Sequence, residues 1–146
     1  MQPSIRRGAF VEYERGGVRP LRVVQWVNDL AGGEAARTIA AVAADVHPGC
    51  PPYSTATPYG HPQRNGFVRT FPLGSAGDQR FAFEIWARVE VRGTPRAYAT
   101  EILIRASDRL TAVALESLRP LPPAIVRAVA ARAAADLHGR RPAAST

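Results

Sequence analysis

The chain of 146 residues holds no lysine, one cysteine and one methionine, and no stretch of it approaches the ~18 consecutive apolar residues of a membrane span. Each shortage excludes something. Cys50 has no second cysteine to pair with, so an internal disulfide is impossible and a reducing, cytoplasmic setting is expected. The opening MQPSIRRGAF has no apolar stretch leading to a cleavage site, so no secretion signal is read there. Nineteen arginines give a net charge of +7 without any help from lysine. Arginine and alanine both have GC-rich codons, and the chain is rich in both. That pattern points to a GC-rich bacterial genome more than to a phosphate-binding groove, where lysine ordinarily shares the work. The arginines are also spread out, densest only at Arg6–Arg7 and Arg140–Arg141. An arginine-rich nucleic-acid binder is therefore the third functional reading.

Several catalytic signatures are missing as well. There is no CxxC, HxH or HExxH for a metal, no G-x-G-x-x-G or GK[ST] for phosphate, and no GxSxG elbow for a serine nucleophile. No metal or cofactor is expected. The length suits one domain with a core of its own, over residues 1–139, with a short flexible tail at 140–146.

What is present reads as an α+β domain. GAFVEYERGGVRPLRVVQWV is a β-hairpin, with β-branched and aromatic residues on both sides of Gly16-Gly17. A helix follows over about Gly33–Val46, with Ala35, Ile39, Val42 and Val46 on one stripe. Four strand-like segments come later: GFVRTFPL, QRFAFEIWARVEVR, RAYATEILIRA and RLTAVALESL. A helix over about Pro122–His138, ended by Gly139 and striped by Ile125, Val129, Ala133 and Leu137, closes the domain. The expected architecture is an antiparallel sheet, made of the hairpin and a four-stranded meander, with both helices packed on one face. A hot-dog-like sheet around the first helix is the alternative.

A register follows if RGTPR makes a tight turn that pairs Val91 with Tyr98. Arg88 then lies beside Glu101, Glu84 beside Arg105, and Trp86 beside Leu103; Ile85 faces Ile104. Extending outward, Arg69 faces Glu84, Phe67 faces Trp86, and Ile102 faces Val113. One sheet face becomes nearly all apolar. The other carries an apolar row, Phe67–Trp86–Leu103, flanked by a charged row, Arg69–Glu84–Arg105.

Between the first helix and the meander lies HPGCPPYSTATPYGHPQRNG, from His47 to Gly66, with five prolines that exclude helix and central strand. Tyr53 and Tyr59 argue that it packs over a rim of the sheet as a strap. Cys50 with His47 or His61 has the residue types of a thiol–imidazole pair, and Glu84, Glu101 and the loop histidines are the candidate general acids or bases.

The first functional reading is a non-enzymatic binding or assembly protein. It would self-associate, as a homo-oligomer, or dock a protein partner through Phe67, Arg69, Glu84, Trp86, Leu103 and Arg105 together with Tyr53, Tyr59 and His61 of the loop. A small-molecule ligand is compatible with this surface, and no membrane role is expected. The second reading is a small metal-independent enzyme, cyclase-, isomerase- or hydrolase-like, with a pocket between that face and the loop.

Overall fold

Strand-favouring residues on either side of the first turn pair as expected. β1 (Ile5–Arg15) lies antiparallel to β2 (Leu21–Leu30), with Phe10 opposite Trp26. The computed structural model describes residues 5–15, 21–56, 60, 62–89 and 96–139, the backbone alone for 5–15, Leu21 and Val89. Tyr59, His61 and the expected tail at 140–146 lie outside the described residues.

α1 (Glu34–Asp45) starts after Gly33, whose φ of 74° breaks β2 away from the helix without a side-chain cap. Then come β3 (Tyr53–Thr55), β4 (Gln63–Thr70), β5 (Gln79–Val89), β6 (Ala97–Ala106), β7 (Arg109–Ser117) and α2 (Pro123–Gly139). All the strands join one antiparallel sheet in the order β1-β2-β7-β6-β5-β4-β3. The hairpin and the four-stranded meander are thus one α+β unit, because β2 pairs along β7. β3 is an addition to the expectation. It is a three-residue edge strand drawn from the proline-rich stretch, at the one kind of position where neighbouring prolines do no harm.

Apolar residues cover both faces of the sheet. Ala82, Ile102, Ile104, Val113 and Leu115 pack under α2, against Val126, Ala130, Ala133, Ala134 and Leu137. Phe81, Leu103, Leu110 and Ala112 point the other way and pack with Ala35 and Ile39 of α1. The helices therefore grip opposite faces, which corrects the expected placement on one. The cause lies in the connections and in the two apolar faces. The chain leaves β2 and crosses one face to reach the far edge at β3. After β7, in the middle of the sheet, it turns back over the other. Of the expected α2 stripe, Ala133 and Leu137 are buried and Val129 packs against the same cluster, whereas Ile125 is 44% exposed and Val126 and Ala130 are buried instead.

The β6–β7 register is as expected, with Ile102 opposite Val113 and a two-residue turn at Ser107-Asp108 in which Ser107 takes a φ of 56°. The β5–β6 register is not. Ile85 lies opposite Ala99 rather than Ile104, a slide of five residues; Val91 and residues 92–95 of the expected RGTPR turn lie outside the described residues. An odd slide exchanges the faces of one strand relative to its neighbour. What holds the observed register is the core. It stacks Ala82, Ile102 and Val113 in one row beneath α2, and the Phe81–Leu103–Ala112 row against α1. Among the described residues no helix is long and apolar enough to cross a membrane.

Candidate functional site

The register decides which of the expected residues meet. Arg69 and Glu84 do: they are cross-strand partners, with Arg69 Nε 3.1 Å from Glu84 Oε1. Phe67 does not meet Trp86. Val68 is an extra residue between Phe67 and Arg69, and this bulge shifts the pairing by one, so that Phe67 lies opposite Ile85 and Gly66 opposite Trp86. Leu103 is buried with α1, on the face away from Trp86. Arg105 lies opposite Gln79, far along the sheet from Glu84, and donates to Gln79 Oε1 and to the Ser107 carbonyl. Arg88 lies opposite Arg64, on the face away from Glu101. The expected row Phe67–Trp86–Leu103 and the pairs Glu84–Arg105 and Arg88–Glu101 are therefore corrected. The assumed pairing of Val91 with Tyr98 set the wrong parity for β5 against β6.

On the α2 side, Glu84 is fully buried and fully engaged. Besides the ion pair with Arg69, its Oε2 accepts from the Thr100 hydroxyl at 3.3 Å and from the Leu121 backbone N–H at 3.1 Å. Arg69 completes the loop by donating to the Leu121 carbonyl at 2.7 Å and lies over the Phe71 ring. Leu121 is the segment leading into α2. At the other end of the same helix Arg109 donates to the Leu137 carbonyl and pairs with Asp29. These charges clamp both ends of α2 to the sheet. A carboxylate held by three partners has little reactivity left, and its role is structural.

Trp86 is on the same face, nearer the sheet's end. Its indole lies across Gly66, so closely that a Cβ there would sit 2.4 Å from the ring, and Arg96 stacks at 4.6 Å from its centroid. The ring fills the space that glycine leaves open on the neighbouring strand.

The other face is covered only in part. α1 buries the end around Leu103 and Leu110, and the remaining end carries Glu101 between Phe83 and Ala114. Phe83 and Ala114 are buried, and Glu101 is partly so. Burial pushes the Glu101 carboxyl above its ordinary value of 4.5. Among the described residues no hydrogen-bond donor or cation is bonded to it. The next row, Ala99–Ile85–Phe67, is half-exposed. Tyr53, 49% exposed on β3, is the rim. Its phenol is pushed above 10.0 by burial first, then by the negative charge of Glu101 and by Cys50, which places the loop within the field of the site. Opposite the rim, Arg22 and Glu116 form an exposed ion pair at 3.2 Å.

Tyr53 and Phe67 are thus the two expected site residues that the structure brings to this surface. Glu101, foreseen as an acid or base, is its centre; the arginine partner assigned to it concealed this. The thiol and imidazole of the loop each have a local partner. Cys50 Sγ donates to the Asp45 carbonyl at 2.7 Å, and His47 Nδ1 accepts from the Gly49 N–H at 3.2 Å. Comparison with protein-family models, with curated proteins and with solved structures finds no match for this chain.

Proposed function

We propose that the protein is a non-enzymatic binding or assembly module that docks a protein partner on the half-covered sheet face around Glu101. The observation that supports this reading is the row Phe67–Ile85–Ala99, half-exposed and apolar, beside a carboxyl that burial raises and no described cation offsets. Such a surface favours a partner that brings an arginine side chain next to apolar ones. The guanidinium would ion-pair with Glu101, and its apolar neighbours would cover Phe67 and Ile85. The setting we infer is the cytoplasm of a GC-rich bacterium, on the strength of composition and the single cysteine.

The test uses a minimal mimic of such a side chain. Titration with octylguanidinium, followed by backbone amide NMR, is expected to shift residues 53, 67, 85, 99 and 101. Octanol should shift the same residues less, and Glu101→Gln should weaken the guanidinium response toward that of octanol. Shifts scattered over the surface, or unchanged by Glu101→Gln, would count against the reading.

One observation favours a second reading. A carboxyl raised above its ordinary value by burial, within the field of a tyrosine, is a candidate general acid or base for a metal-independent cyclase-, isomerase- or hydrolase-like reaction. Hydrolysis of a nitrophenyl ester, or exchange of the α-protons of a ketone, that disappears in Glu101→Gln would place this reading ahead of the first.

A further inference from the structure

The two edges of the sheet are built differently. At one edge β3 has three residues and follows Pro51 and Pro52. Shortness and proline are two devices that keep an edge from pairing with another chain. At the other edge β1 has 11 residues and no proline, and its pairing with β2 is regular from Arg7 to Arg15. Among the described residues no strand lies on its outer side. A strand of that length leaves a row of backbone N–H and C=O groups ready for a further strand.

Its sequence, IRRGAFVEYER, is also charged lengthwise. Arg6 and Arg7 stand in the first half, Glu12 and Glu14 in the second, with Arg15 at its end, where an axis at Phe10 sets it against the uncharged Ile5 position. A strand with that order complements its own antiparallel copy, since each basic half meets an acidic half.

We propose that β1 is the interface between two copies of this chain, joined edge to edge about a twofold axis at Phe10, so that one sheet runs through both subunits. In this register Arg6 comes to the position of Glu14 of the partner subunit, and Arg7 to that of the partner's Tyr13. An axis at Val11 would set Arg7 against the partner's Arg15, and like charges directly opposite disfavour it. This interface uses a sheet edge and leaves the face around Glu101 open, so it stands or falls apart from the docking reading.

Sedimentation equilibrium on the full chain tests it. The unaltered protein is expected to be a dimer. E12R/E14R, whose β1 is entirely basic, and R6E/R7E, whose β1 keeps Arg15 as its one base, should each be a monomer with unchanged circular dichroism. An equal mixture of the two should recover the dimer. A monomeric unaltered protein, variants that remain dimers, or a mixture that remains monomeric would overturn the proposal. Amide exchange of the unaltered protein serves if a variant does not fold. Protection of β1 amides must rise with protein concentration, and protection independent of concentration would overturn the proposal equally.

Discussion

Glu84 and Glu101 occupy neighbouring strands on opposite faces of one sheet, and the chain treats them in opposite ways. Glu84 is sealed beneath the start of α2 and receives a guanidinium, a hydroxyl and a backbone N–H. Glu101 sits between Phe83 and Ala114 with burial to oppose its charge and no donor bonded to it among the described residues. A desolvated carboxyl with partners is a fastener. One partly buried without them keeps its charge at a cost that a partner's donor or cation would relieve. The contrast extends to the faces: α2 is clamped at both ends over its face, whereas α1 covers one end of its own.

The contrast can be broken most forcefully at Glu84. Glu84→Ala leaves the buried Thr100 hydroxyl and the Leu121 N–H without their charged acceptor, while Arg69, 37% exposed, keeps the Leu121 carbonyl, and a loss of ~3 kcal/mol in urea unfolding is expected. At the far clamp, Arg109→Ala removes a charged hydrogen bond to the Leu137 carbonyl and the pair with Asp29, for a loss of ~1.5–3 kcal/mol by the same measurement. Gly66→Ala drives a methyl into the Trp86 indole and should cost ~1–3 kcal/mol, with altered tryptophan fluorescence as the ring moves. Trp86→Ala in the same background should recover part of that loss.

The smallest effect has the opposite sign. Because the folded state holds the Glu101 proton more tightly than the unfolded chain does, the stability linked to that proton is complete below pH 4.5. It is lost as pH rises through the raised folded value. Glu101→Gln removes this loss. The variant should melt at or slightly above the unaltered protein at pH 7, and the two should converge at about pH 3, below both values. Melting temperatures across that range check it.

The sequence showed most of the scaffold. Alternating and helical periodicities placed the hairpin, four strands and both helices, since each depends on residues within one segment. The β6–β7 register was legible too, because a two-residue turn at Ser107-Asp108 admits few pairings. The candidate site depended on the β5–β6 register, and there charge matching misled. Arg88 with Glu101 and Glu84 with Arg105 make plausible pairs in the tight-turn register, yet the true one follows from which apolar residues each helix covers. That information is spread over Ala35, Ile39, Val126 and Ala130, far away in the chain. The single bulge residue Val68 likewise separated Phe67 from Trp86 without a local signal. Face assignment is a tertiary property, and an odd slide inverts it completely.

The account turns on Glu101 being partly desolvated with no donor or cation bonded to it among the described residues. Its side-chain carboxyl carbon, followed by NMR from pH 3 to pH 9, measures that directly. A midpoint above 4.5 is predicted, moving downward when octylguanidinium is added. A midpoint at or below 4.5 in the free protein would mean that water, a donor or a cation already serves the carboxyl, and the distinction between the two faces would fail.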